Sequence, residues 1–219
     1  MNAVVLDTET NDKDNPEVME LAFIPYADPF KPHLSRYCPT VPVKWGALAV
    51  HHILMDEVRD CPPSSEAAGK VPKVRYWIGH NIDFDWKALG SPSGVKRICT
   101  LALCRSIWPE VDSHTLSAMS YFLLGANPST RERVLRAHSA LDDVLLCSDI
   151  LQVIMTVLKI SDLDELYLES EGARIPKVWT FGKFKGQPIG AADRGYANWC
   201  RKQPDFDPYV LIALTRAGL

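Results

Sequence analysis

The sequence predicts an α/β protein, a mixed sheet with helices on both faces, that carries a small aromatic and basic module behind it. Three observations support this. Short, β-branched apolar runs open the chain and recur between amphipathic stretches. Residues 139–158 keep an apolar stripe at helical spacing for longer than any other segment. Near residue 170 periodicity gives way to Glu171, Gly172 and Pro176, and aromatic and basic residues concentrate beyond that point.

In order along the chain, residues 3–6 and Val18–Pro25 read as buried strands joined across a polar turn at residues 11–16, so a hairpin opens the fold. Proline-rich connections over residues 25–42 lead to a helical stretch at 45–52, and a loop at 61–72 contains Pro62, Pro63 and Ser64. Residues 74–78 read as a strand, 82–89 as a helix ending near Gly90, 98–100 as a short strand, and 101–108 and 116–124 as helices. The expected division is a domain over residues 1–169 and a module over 170–219, with residues 170–177 as linker.

With 219 residues, 47% hydrophobic and 23% charged, the chain can bury a core without staples, and extensive disorder or a coiled coil is excluded. Its net charge of −3 excludes nucleic-acid binding by bulk positive charge, so any such contact must be local. Cys38, Cys61, Cys99, Cys104, Cys147 and Cys200 form no paired or zinc-like spacing and read as free thiols in a reducing compartment. No signal-like segment and no apolar run of about 18 residues is present, which points to a soluble cytoplasmic protein with no membrane partner.

The chemistry starts at Asp7-Thr8-Glu9-Thr10, directly behind the first strand. Alternation in extended chain puts Asp7 and Glu9 on one side, a few ångströms apart. Two like charges so placed call for a cation, and an all-oxygen site suits magnesium or manganese better than zinc. The plainer alternative is a turn with solvated acids.

A second motif, Gly79-His80-Asn81-Ile82-Asp83-Phe84-Asp85, lies where a strand meets a helix. Asn81 is the expected N-cap; Asp85 shares the inward face with Ile82 and Leu89, and Asp83 points outward toward Lys87. In the third motif, His138-Ser139-Ala140-Leu141-Asp142-Asp143, the pattern makes Ser139 an N-cap with Asp142 in the third helical position. Asp143 then joins the stripe of Leu146, Cys147, Ile150 and Ile154 and is expected to be buried. A carboxylate buried there needs a partner or a metal, and no basic residue lies on that stripe. His138 sits at the end of an expected loop over residues 127–137.

Together the three motifs resemble the DEDD superfamily of 3′→5′ exonucleases in its histidine-containing, DnaQ-like branch. Asp7 and Glu9 match the first motif, His80-Asn81 and Phe84-Asp85 the second, and His138 and Asp143 the third; Asp83 and Asp142 do not align. The resemblance covers residues 2–159. The whole chain looks like the exodeoxyribonuclease X group, whose A-M-A-I-H segment is matched by Ala47-Leu48-Ala49-Val50-His51.

This resemblance implies an RNase H-like mixed five-stranded sheet and a metal-dependent 3′→5′ exodeoxyribonuclease releasing nucleoside 5′-monophosphates. Two magnesium ions, replaceable by manganese, would be held by Asp7, Glu9, Asp85 and Asp143, with His138 as general base. The partner would be a DNA 3′ end, single-stranded or duplex. Thr8, Thr10, Ala47, His51 and Asn81 would lie near the terminal nucleotide, and Phe84 would wedge beside it or fill the core. The same acids also serve exoribonucleases, and an inactive nucleic-acid-binding subunit is the alternative from another class. Two departures stand out: Asn11, where glycine commonly follows the first motif, and the basic segment 131–136.

In the C-terminal module, Trp179-Thr180-Phe181-Gly182-Lys183-Phe184-Lys185 interleaves aromatic and basic residues, and Tyr196 and Trp199 follow at helical spacing. This pattern suits stacking on bases and pairing with phosphates. A hairpin and helix forming a small core is the alternative. The family resemblance assigns Lys183 and Lys185 to DNA.

Overall fold

The computed structural model describes residues 2–136, 139–204 and 206–219. Two compact units are present, Met1–Tyr167 and Leu168–Leu219.

In the first unit, β1 (Ala3–Thr10) and β2 (Val18–Pro25) pair antiparallel, and β2 pairs antiparallel with β3 (His33–Arg36). On the other side β1 runs parallel to β4 (Tyr76–Gly79), and β4 parallel to β5 (Lys96–Cys99), giving the order β3-β2-β1-β4-β5. The expected mixed five-stranded sheet is therefore present. Every residue of β2, and all of β1 except half-buried Asp7, is buried, because helices cover this sheet on its faces.

The helices are α1 (Trp45–His51), α2 (Met55–Val58), α3 (Ile82–Ala88), α4 (Thr100–Ile107), α5 (Leu116–Leu124), α6 (Pro128–Leu135), α7 (Ala140–Leu158) and α8 (Leu163–Ala173). A 3₁₀ helix covers Ser64–Lys70. The apolar stripe of α7 (Val144, Leu146, Cys147, Ile150, Leu151, Ile154) is buried, and α7 packs on β1 and β2 as well as on α4 and α5. α3 packs on β1. The two sequence motifs that begin these helices are thus delivered to the central strand.

Three expectations are corrected. Residues 33–36 form the edge strand β3 inside what reads as a proline-rich connection. His-Leu-Ser-Arg carries almost no apolar signal, and what anchors it is cross-strand: the His33 ring stacks on Phe23 at 4.5 Å. Residues 128–135 form a helix and not a loop. The Asn127 side chain accepts the Thr130 N–H at 3.0 Å and Pro128 occupies the first turn, a start signal masked by the polar sequence that follows. α8 continues to Ala173, into the expected linker.

The second unit has its own core of Trp179, Phe184, Ile189, Ala197, Cys200, Val210 and Leu214. Its first half is a tight loop: Trp179 N–H donates to Gln187 O, and Gly186 N–H back to Trp179 O at 2.7 Å. Gly182 is required here. Its φ is +70°, and a Cβ would come within 2.3 Å of the Tyr196 hydroxyl. Helices α9 (Arg194–Lys202) and α10 (Pro208–Arg216) follow, capped by Asp193 and Asp207. Among the described residues no single helix is long and apolar enough to cross a membrane.

Candidate metal centre and adjoining cavity

β1 brings Asp7 and Glu9 to one side of the sheet centre, and the first turn of α7 brings Asp143 beside them. One oxygen from each of the three lies within 4.8 Å of the other two. Asp85 approaches from α3. It is 3% exposed and shares the buried face with Ile82 and Leu89, and its Oδ1 accepts both the Thr8 N–H (2.9 Å) and the Thr8 hydroxyl (2.7 Å). Thr8, pointing away from its two acidic neighbours, ties α3 to β1.

Crowding these acids in a buried place makes their ionisation costly. Burial first, then the charges of Asp85, Glu9 and Asp143, hold the Asp7 carboxyl well above the ordinary range. Glu9 is pushed up to about 9 by burial and by Asp143, Glu20 and Asp85. Asp85 rises to about 7 through burial, and the two bonds from Thr8 oppose that rise. Such a set is relieved by a cation, and with oxygens its only donors it fits a hard divalent ion.

Glu20 is a fifth acid beside the cluster, and the motifs do not point to it. It is 2% exposed and stands opposite Glu9 in the β1–β2 register. Its Oε2 accepts Arg36 Nε–H at 2.9 Å, and its Oε1 accepts the Ala140 N–H at 3.1 Å. A charged residue in the middle of the apolar strand Val18–Pro25 was the available signal.

The expected caps differ. Ser139 stands at the N-cap of α7, but its side chain makes no cap bond; Glu20 separately satisfies the Ala140 N–H, and Asp142 turns to Arg136 at 3.4 Å. Asp143 is half-buried and not enclosed among hydrophobes, because the first turn of α7 lies at the margin of the core. Asn81 has left-handed backbone (φ 77°) with no side-chain cap and is exposed. Asp83 pairs with Arg97 at 2.5 Å and not with Lys87, because β5 delivers a guanidinium that also covers the Trp86 ring. His138 lies outside the described residues.

A cavity of about 460 Å³ opens next to Glu9. Thr8, Thr10 and Phe84 line it on the sheet side, Ala47, Val50 and His51 on the α1 side, and Lys13 and Lys44 add positive charge. Lys44 Nζ holds Asp12 at 2.6 Å. Neither histidine nitrogen of His51 is spare. Nδ1 accepts the Ile53 N–H, which leaves Nε2 to donate to Thr10 O at 3.2 Å, so His51 builds the wall. The Thr10 hydroxyl likewise donates to Asp12 O.

Asn11, the departure at the end of the first motif, is fully buried. It donates to Val41 O at 3.1 Å and accepts the Glu17 N–H at 2.9 Å, while its carbonyl receives the Lys44 N–H. It pins the segment leading into α1. His80 donates from Nε2 to His114 O at 2.8 Å and faces the Thr100 hydroxyl with Nδ1, and burial lowers it to about 4. It is a neutral strut between elements. In the second unit, Lys183 pairs with Asp193 at 3.3 Å, and Lys185 is exposed.

No family model matches the chain. Exodeoxyribonuclease 10 of Escherichia coli K12 is 26% identical over 208 residues, spanning 89% of this chain and 88% of that protein. A structure of exonuclease X in complex with 5′-overhanging duplex DNA matches with a TM-score of 0.64 at 23% identity, covering 77% of this chain and 99% of that one. The zinc-bound complex of E. coli ExoI with single-stranded DNA matches at 0.57 and 16% identity, covering 80% of this chain and 43% of that one. The expected fold holds, and the chain is similar to exodeoxyribonuclease 10, as the sequence motifs lead one to expect.

Proposed function

From the similarity to exodeoxyribonuclease 10 and the acid cluster, we infer that the chain is a DnaQ-like, metal-dependent 3′→5′ exodeoxyribonuclease. The convergence of Asp7, Glu9 and Asp143 within 4.8 Å, beside a cavity of nucleotide size, is the observation that supports the reading most. Asp7, Glu9, Asp85 and Asp143 would hold magnesium, as two ions, with manganese able to replace it. Bound there, divalent metal supplies charge to the phosphate and activates water.

The chain's own residues divide the remaining work. Thr8 fixes Asp85 and favours its ionised form against the effect of burial. His51 and Asn11 shape the cavity that receives the terminal nucleotide, and Phe84 offers it a ring face at the wall. Lys13 offsets phosphate charge at the rim, where Lys44 is paired with Asp12. His138, placed by the sequence match alone, is the general base, a role that suits imidazole.

The reading is tested by incubating the protein with uniformly labelled DNA and RNA, with magnesium or with EDTA, and identifying the products. Nucleoside 5′-monophosphates from DNA in magnesium alone are expected. Release from RNA only would move the assignment to an exoribonuclease. Hydrolysis of neither would favour a binding subunit.

A further inference from the structure

We propose that the C-terminal unit carries a second nucleic-acid site, a stacking platform built on Trp199 that grips single-stranded DNA through its bases. The proposal rests on the exodeoxyribonuclease reading for the choice of polymer. Residues 168–219 hold eight basic and five acidic residues, a net charge of +3, while the remaining residues carry −6. Phe30, Trp45 and Phe122 are exposed on the acidic first unit, but only in the electropositive unit do exposed rings, Trp199 and Phe181, adjoin a continuous aromatic cluster among the described residues.

Trp199 is 50% exposed and Phe181 is 39% exposed. They belong to one continuous row, since Phe206 touches both, with centroids 6.4 Å from Trp199 and 5.9 Å from Phe181. Trp199 is braced from behind. Its ring stacks on Tyr196 at 5.5 Å and 24°, and Tyr196 is itself wedged edge-on against Trp179 and Phe184.

A base laid on the outer face would extend the stack Tyr196-Trp199 by one layer, at little cost in side-chain freedom, because the indole is already fixed. Every base offers a π face, so such a platform binds without sequence preference. Phosphates find their partners beside it: Lys202 lies one helical turn from Trp199 on α9, and Lys185 closes the turn that carries Phe181. Lys183, engaged with Asp193, serves the turn.

The test is fluorescence anisotropy of a labelled oligo-dT in EDTA with the full chain, so that hydrolysis plays no part. Trp199→Ala is expected to weaken binding about 10-fold, Trp199→Phe to recover most of it, and an abasic strand of equal length to bind wild type and Trp199→Ala alike. Lys185→Ala with Lys202→Ala should lower the slope of log affinity against log salt by about 1.4. Equal dT affinity of wild type and Trp199→Ala, or an equal Trp199 effect on the abasic strand, would overturn the platform. If the protein hydrolyses no polymer yet shows the Trp199 effect, the platform stands and the exonuclease reading fails. If Trp199→Ala does not fold, Trp199→Leu, which keeps an apolar side chain on α9 but offers no ring face, makes the same comparison on the dT and abasic strands.

Discussion

Glu9 and Glu20 face each other across β1 and β2, both buried, on the same side of the sheet. Their surroundings differ. Glu20 is satisfied within the protein, by Arg36 and by the first N–H of α7, whereas Glu9 looks onto Asp7, Asp85 and Asp143 and is pushed up to about 9. One glutamate holds the frame, and the other belongs to the acid cluster.

A stability test follows from the direction of these shifts. Asp7, Glu9 and Asp85 have folded-state values above those of the unfolded chain, so the folded protein retains protons that the unfolded chain releases. The resulting penalty is absent below about pH 4 and grows as pH rises toward about 9. In EDTA the melting temperature should therefore fall from pH 6 to pH 9 more steeply than in magnesium, and added magnesium should raise it most at pH 9. A chain of this size shifts by about 2–4 °C for each kcal/mol relieved. Parallel curves with and without magnesium would remove the cation from the acid cluster.

Thr8→Val removes the hydroxyl from Asp85 while leaving the backbone bond. The Asp85 carboxyl, already about 7, should rise further, and a bond to a charged group is worth about 1.5–3 kcal/mol, or roughly 10- to 100-fold in rate. The predicted loss in kcat is larger at pH 6 than at pH 9. A pH-independent loss would mean that Thr8 only packs.

Glu20→Ala should separate framing from chemistry. It frees Ala140 N–H and leaves Arg36 with Glu57 alone, and is expected to cost about 1–3 kcal/mol of stability and to lower kcat through the displaced first turn of α7. Glu20→Gln, which keeps an acceptor for Ala140 N–H, should restore most of the rate. Equal rates in the two variants would contradict this role.

Asn11→Ala deletes the side-chain bonds to Val41 and Glu17 behind the cavity-lining residues Thr10 and Asp12. A rise in KM of about 10-fold with kcat nearly unchanged is predicted in steady-state assays, the cost of about one buried hydrogen bond. A fall in kcat at constant KM would place Asn11 closer to the chemistry.

How much of this could be read from the chain depends on how local each signal is. The acids of the three motifs announce themselves through helical and extended periodicity, and Asp83 and Asp142 separate from Asp85 and Asp143 by face alone. Their partners do not, because Arg97 comes from β5 and Arg136 from the end of α6, neither on the helix that carries its acid. Glu20 hides in a run of apolar residues, and its function as a cap for α7 exists only once β2 and α7 meet. The edge strand His33–Arg36 and helix Pro128–Leu135 escape for the opposite reason: both are polar, and each is held by one or two contacts that periodicity does not record. His51 reads as a substrate contact, yet its two nitrogens are spent on backbone groups.

The central claim is that Asp7, Glu9, Asp85 and Asp143 form the site of metal-dependent removal of nucleotides from DNA 3′ ends. It is tested most directly by digesting an oligonucleotide labelled at its 5′ end, comparing native protein with Asp143→Ala in magnesium. The account predicts a ladder of progressively shorter labelled products that the variant fails to make. Release of labelled mononucleotide at the outset, or an undiminished ladder from Asp143→Ala, would contradict it.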